Sequence, residues 1–133
     1  METVSFEIAK KLKEKGFYYP CFDAINAFGC TYKNGWCEYL DDRYNELITL
    51  ADLHKEDCLL PTISQVLKWL REEKDCHIMI DIYDNGWFYT INNFYRHDTG
   101  VFEVKTHLMQ CLDYDTYEQA ALAGIEYVLD NLI

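Results

Sequence analysis

His77-Ile78-Met79-Ile80-Asp81-Ile82-Tyr83-Asp84-Asn85-Gly86-Trp87-Phe88-Tyr89-Thr90-Ile91-Asn92-Asn93-Phe94 is the stretch that decides the fold. His77 to Tyr83 alternates polar and apolar residues with period two, the pattern of a strand wetted on one face. Asn85-Gly86 suits the two positive φ angles of a type I′ turn, so Trp87 to Phe94 reads as the returning strand. With these two residues as the turn, Ile82 faces Tyr89, Ile80 faces Ile91 and Ile78 faces Asn93. After a loop, Val101–Leu108 supplies a third strand. Pairing Phe94 with Val101 places Thr106, Val104 and Phe102 on the side of the isoleucines.

Helical patterns flank these strands. Upstream, Thr62 and Gln65 form a T-x-x-Q capping box, in which the two residues satisfy each other's first-turn backbone N–H groups. The helix they start carries Ile63, Val66, Leu67 and Leu70 on one stripe and ends near Glu73–Asp75. Downstream, Asp115 and Glu118 form a capping pair for a last helix that buries Tyr117, Ala121, Ile125, Val128 and Leu132. Residues 61–133 therefore read α-β-β-β-α: an α+β unit with an antiparallel sheet of at least three strands and helices packed on one face.

The N-terminal sixty residues add to that unit or flank it. Ser5 caps a helix over Phe6–Lys15 whose apolar side is Phe6, Ile8, Ala9 and Leu12. Gly16 fits the left-handed position after it, and Phe17 then touches Leu12, the contact of a Schellman stop. Asn34-Gly35, between Thr31-Tyr32-Lys33 and Trp36-Cys37-Glu38, is a second hairpin signal. Asn45 to Leu53 carries a short helical pattern, and Cys58-Leu59-Leu60 runs extended into Pro61. No Ser/Gly/Pro linker and no internal repeat interrupts the chain, so residues 1–133 are expected to form one domain.

Charge narrows the function. The chain has 133 residues and a net charge of −11. Residues 1–61 carry 7 basic and 11 acidic groups, and residues 62–133 carry 5 and 12. Both halves repel phosphate backbones and anionic lipid, so neither direct nucleic-acid binding nor membrane binding is expected. The N-terminus shows no basic region followed by an apolar stretch, and six cysteines (Cys21, Cys30, Cys37, Cys58, Cys76, Cys111) lie scattered without a CxxC. The expected setting is a reducing cytoplasm with free thiols.

Chemical motifs are few. His54 and Cys58, and again His107 and Cys111, are H-x3-C pairs, the candidate metal ligands of this chain. An i, i+4 pair meets one ion on a helix, but in a strand those positions lie ~13 Å apart. The second pair thus needs a bend after Leu108. His77 and His107 fall on one face in the expected register, at opposite ends and roughly 15–20 Å apart on strand spacing and rise. No Gly-rich phosphate loop occurs, and no Cys, His and acid converge locally, so neither a cofactor nor a catalytic residue is expected.

The face opposite the isoleucines is the candidate binding surface. Its expected rows are Asp81–Thr90–Lys105 and Met79–Asn92–Glu103, with Tyr83, Phe88 and Phe94 toward the ends. Antiparallel sheets commonly wet one face, and a polar centre rimmed by aromatics also suits recognition. The candidate binding residues are Asp81, Tyr83, Phe88, Thr90, Asn92, Glu103 and Lys105.

The α-β-β-β-α order resembles the double-stranded-RNA-binding fold. That family grips phosphates with lysines at the start of its last helix, where this chain has Asp113, Asp115 and Glu118, so the charge contradicts the function. A broader likeness rests on Phe6-Glu7-Ile8-Ala9-Lys10-Lys11-Leu12-Lys13-Glu14-Lys15-Gly16-Phe17, on Pro61 to Glu73, and on Thr116-Tyr117-Glu118-Gln119-Ala120-Ala121-Leu122-Ala123-Gly124-Ile125. In these stretches the chain resembles small uncharacterised proteins of gut anaerobic bacteria, often encoded in prophage or other mobile-element regions. The resemblance implies a bacterial cytoplasm and a phage-derived accessory role; it transfers no functional residue.

The expected function is a protein-binding accessory module without catalysis, whose partner is another protein. The first alternative is an acidic inhibitor that mimics nucleic acid, which requires carboxylates in rows on one surface and binding that fades with salt. A metal- or cysteine-dependent enzyme comes third. Oligomeric state is left open, since an unpaired edge strand permits self-association.

Overall fold

The structure is a computed structural model that describes residues 2–33, 47–84, 86–96, 98–100 and 102–133. The fold is α+β, with two antiparallel sheets and three α-helices among the described residues. The chain divides into two compact units, Met1–Gln65 and Val66–Ile133. The dividing point falls inside a helix rather than before Pro61.

In the first unit, α1 (Phe6–Glu14) begins where Ser5 Oγ accepts from Ile8 N at 3.2 Å. It ends in the expected Schellman geometry. Gly16 stands at φ 86°, Phe17 N donates to Leu12 O at 3.0 Å, and Gly16 N donates to Lys13 O at 3.2 Å. Ile8, Ala9, Leu12 and Phe17 are buried, whereas Phe6 is only half-buried.

Three short strands follow: β1 (Asp23–Ile25), β2 (Thr31–Lys33) and β3 (Cys58–Leu60), in the order β2-β1-β3 with β1 antiparallel to both neighbours. The β1–β2 connection is a turn that the sequence pattern does not announce. Asn26 Oδ1 accepts from Phe28 N at 2.9 Å and from Cys30 N at 3.0 Å, and Gly29 sits at φ 82°. The Asn side chain thereby substitutes for a missing backbone acceptor. The expected Asn34-Gly35 hairpin lies outside the described residues, although Thr31–Lys33 is a strand as its first arm requires.

The helix expected from Asn45 to Leu53 reduces, in its described part, to one 3-10 turn at Leu50–Asp52. Ile48 is extended instead, bridged to Cys21 by a bond from Cys21 N to Ile48 O of 3.0 Å and its reciprocal. Ile48 and Cys21 are both buried, so tertiary pairing overrides a weak local helical pattern.

α2 (Ile63–Glu73) starts at the expected capping box. Gln65 N donates to Thr62 Oγ1 at 3.2 Å, and Thr62 N donates to Gln65 Oε1 at 2.9 Å. The expected stripe of Ile63, Val66, Leu67 and Leu70 is buried, together with Trp69. After the helix, Asp75 takes φ 51° and its carbonyl accepts from Phe94 N at 3.0 Å.

The second unit carries the sheet β4 (Cys76–Tyr83), β5 (Gly86–Arg96) and β6 (Phe102–Tyr114), in that order and antiparallel throughout. Its register departs from expectation in an instructive way. Tyr83 pairs with Gly86, so Gly86 belongs to the strand rather than to the turn, and Asp84 takes positive φ at 52°. The pairs become Ile82–Trp87, Ile80–Tyr89 and Ile78–Ile91, two residues from the expected set. A slip of two keeps every side chain on its face, which is why the face assignment survives for β4 and β5.

β6 differs more. Tyr95 and Arg96 extend β5 where a loop was expected, and the ladder starts at Arg96–Phe102 with Phe94 opposite Val104. A β-bulge follows, because Asn93 pairs with Thr106 and leaves Lys105 without a partner in the ladder. Beyond it Asn92 faces His107, Ile91 faces Leu108 and Thr90 faces Met109. The three-residue offset at the start of β6 flips faces: Val104 joins Phe94 on the open side, and Glu103 lies opposite Tyr95 on the other.

α3 (Tyr117–Asn131) packs across the sheet on the side of Ile78, Tyr89 and Ile91. Its cap is Thr116 rather than Asp115. Thr116 Oγ1 accepts from Gln119 N at 3.1 Å, and Asp115 N donates to Gln119 Oε1 at 3.0 Å, a second T-x-x-Q pattern. Its buried residues are Ala120, Ala121, Gly124, Ile125, Val128 and Leu129. Tyr117 is 38% exposed, with its ring edge-on to Trp87 at 5.8 Å between centroids, and Leu132 is half-buried.

A Cβ added at Gly124 would stand 3.1 Å from Ile78 Cγ2 and 3.2 Å from Tyr89 Cγ. The absent side chain is what lets the helix reach the strands. Coverage stops toward the Tyr83 end, where Ile80 is half-buried and Ile82 is exposed.

Adjacent β5 residues therefore have opposite fates. Ile91→Asp buries an unpaired charge beneath α3 and should lower stability by on the order of 4 kcal/mol in a urea titration. Thr90→Ala, one residue away on the open side, should change it by less than about 0.5 kcal/mol. Equal tolerance of both would contradict the face assignment.

Candidate functional site

The open face of β4-β5-β6 is built by the alternate residues that α3 does not cover. Its rows are His77–Asn92–His107, Met79 with Thr90, Asp81 with Phe88, and Phe94 with Val104. Met79 and Val104 are each 54% exposed and Tyr83 is 71% exposed, while Phe88, Thr90, Asn92 and Phe94 are half-buried. The face combines a polar row with exposed apolar and aromatic side chains.

Of the expected binding residues, Asp81, Tyr83, Phe88, Thr90 and Asn92 share this face. The expected neighbours change: Asp81 stands opposite Phe88 rather than Thr90, and Met79 opposite Thr90 rather than Asn92. Glu103 is displaced from the face by the β6 offset, and Lys105 is the unpaired residue of the bulge. The row that the sequence did not reveal is His77–Asn92–His107. These histidines were expected at opposite ends of the face; the two-residue shift of β4 and the four-residue shift of β6 set both directly across from Asn92. The signal that could have found them is the apolar Tyr95 preceding Arg96, which marks the continuation of β5.

His107 has a defined orientation. Its Nδ1 lies 2.6 Å from Asn92 Oδ1. An amide oxygen only accepts, so Nδ1 is the donor in this contact. His77 is exposed, and its backbone is held in the β4–β5 ladder opposite Asn92. Asp81 directs one carboxylate oxygen to its neighbour's backbone, accepting from Ile82 N at 2.8 Å.

The H-x3-C pairs differ in setting: His107 and Cys111 both fall within β6, whose register against β5 shifts between Gln110 and Tyr114. His54 is exposed in a loop, whereas Cys58 is buried in β3. Burial pushes the Cys58 thiol up, an effect that Lys13 partly opposes. Cys21 is pushed up to about 12 by burial and then by the Asp23 carboxylate, and its Sγ donates to Tyr19 O at 3.2 Å. These two thiols are protonated core groups, poorly suited to nucleophilic work. Among the described residues no three His, Cys, Asp or Glu side chains cluster as a metal site.

Among the described residues, the first unit holds a polar cluster around Asp57. Lys13 Nζ donates to Asp57 O at 2.9 Å and also to Lys55 O, and Tyr32 Oη donates to Asp57 Oδ2. Asp57 is buried, and burial first, then that carboxylate, hold the Tyr32 phenol in its neutral form. The cavity beside it, lined by Ala9, Lys13, Phe17, Leu53 and Cys58, measures about 10 Å³. It admits about one water and no metabolite, for which sites of roughly 300 Å³ or more are usual. The cluster clamps the 54–57 turn onto α1.

Among the described residues no helix is long and apolar enough to cross a membrane. No protein-family model matches the chain, and neither a curated protein nor a solved structure matches it.

Behind the open face, the Tyr89 phenol is pushed up to about 12, by burial first and then by Tyr114 and Tyr127. An unfolded tyrosine ionises near about 10, so the folded state holds this proton more tightly. The resulting stabilisation is complete below pH ~10 and is lost as pH rises through the folded value. Urea titrations from pH 8 to pH 12 should show an alkaline fall in stability that is smaller in Tyr89→Phe. An identical fall in both proteins would remove Tyr89 as its source.

Proposed function

We propose that the protein is a small acidic cytoplasmic module that binds another protein through the open face of its second sheet and has no catalysis of its own. One observation carries this reading. Met79, Tyr83 and Val104 stand exposed on a face whose strands are fixed from behind by α3. Exposed apolar side chains in a rigid, regular array supply contact area at little entropic cost, and aromatic residues and Met are enriched at interfaces. A net charge of −11 favours partners that are basic around a contact of this kind.

The nucleic-acid-mimic alternative receives less support. It needs carboxylates in rows, and Asp81 is the single acidic residue in the rows named above.

The test is affinity capture from bacterial lysate at moderate salt, with wild-type protein beside the double variant Met79→Asp, Tyr83→Ala. Both side chains are exposed, so the melting temperature should hold within a few degrees. A partner retained by wild type and depleted about tenfold or more by the variant supports the module. Identical partner sets for both proteins contradict the use of this face.

A further inference from the structure

We infer that β4 pairs edge to edge with β4 of a second copy of this chain, antiparallel and centred on Met79. Among the described residues β4 is an outer strand of its sheet, in the order β4-β5-β6. One bond fixes which way its backbone groups point. Phe94 N donates to Asp75 O at 3.0 Å, and Asp75 opposite Phe94 continues the β4–β5 register by one step. Hydrogen-bonded and non-hydrogen-bonded pairs alternate along an antiparallel ladder. Odd-numbered residues of β4 therefore bond to β5, and even-numbered ones turn their N–H and C=O to the outer edge. Ile82 N, one of those outward groups, donates to Asp81 Oδ1 at 2.8 Å, which draws that carboxylate toward the edge.

The side chains of the strand select its occupant. His77, Met79 and Asp81 follow one another on the open face, a base and an acid at equal distance from a thioether. A twofold axis at Met79 sets His77 opposite the partner's Asp81, and Asp81 opposite the partner's His77. The same axis sets Ile78 opposite the partner's Ile80, where both backbones face outward and exchange two N–H···O bonds. Opposite charges directly across an antiparallel pair stabilise it, and like charges destabilise it. Other axes lose this match. One at Ile80 sets Asp81 against Met79, one at Ile78 sets Asp81 against Asp75, and one at Asp81 sets carboxylate against carboxylate.

Neither charged group is engaged across its own sheet, since His77 faces Asn92 and Asp81 faces Phe88. Within one chain the two lie ~13 Å apart by strand rise. His77, Met79 and Asp81 are all exposed. The charge of −11 on each copy opposes association at long range. At physiological salt that field is screened beyond ~8 Å, whereas the facing pairs lie closer. An axis normal to the sheet keeps α3 of both copies on one side and joins the two open faces into one surface. This inference stands apart from the protein-binding proposal, because it uses the strand edge and not the face.

The experiment is sedimentation equilibrium of tag-free, reduced, full-length protein over a wide concentration range, with NMR of the concentrated sample. The expected result is a monomer–dimer equilibrium and an Hα–Hα contact between His77 and Asp81 that fades on dilution. Across the axis these residues form a non-hydrogen-bonded pair with Cα atoms ~4.5 Å apart, so one chain alone cannot give that contact. His77→Asp should weaken the dimer about tenfold or more, because it sets carboxylates face to face at two symmetric places. Adding Asp81→Lys to it should restore the dimer to within about threefold of wild type, since the swapped charges face each other again. The wild-type measurements do not depend on how any variant folds. A monomer at every concentration, a dimer without the His77–Asp81 contact, or a double variant as weak as His77→Asp would overturn the pairing.

Discussion

The close approach of α3 to the second sheet at Gly124 is the constraint from which the rest of this unit follows. No side chain at that position fits between the helix and the Ile78 methyl or the Tyr89 ring without a neighbour giving way. Small residues at Ala120 and Ala121, both fully buried, extend the same flat contact along the helix. Once the helix seats there, the odd-numbered face of β5 is committed to the core. The even-numbered face, with Phe88, Thr90, Asn92 and Phe94, is left to solvent. The open surface is thus a consequence of packing on its reverse side, and its rigidity comes from the same source.

Much of this was legible residue by residue. The Gly16 stop, the Thr62–Gln65 box and the two faces of β4 and β5 follow from local patterns whose physical basis is short-range. The register was not legible, because it is fixed by where turns fall. Asp84 tolerates positive φ as asparagine does, and its use moved the β4–β5 turn by one residue. Tyr95 and Arg96, beyond the expected end of the strand at Phe94, pair with Glu103 and Phe102. The unpaired Lys105 then shifted the remainder of β6.

A face is robust to an even slip, whereas the identity of neighbours is not. For that reason Asp81, Tyr83, Phe88, Thr90 and Asn92 still share one face, while the histidine row follows only from the alignment of the strands. The three-residue strands of the first unit were harder still. β1 offers only Asp23-Ala24-Ile25 as a pattern, and its turn depends on a side-chain acceptor, Asn26, rather than on a recognisable dipeptide.

The central claim is therefore the alignment of three strands at Asn92, on which both the open face and the His77–His107 row depend. Cross-strand proton contacts in solution NMR measure it directly. The account predicts backbone contacts from Asn92 to His77 on one side and to His107 on the other. Contacts from Asn92 to Met79 and Glu103 instead would mean that the strands pair in the register of the sequence pattern, and the histidine row would not exist.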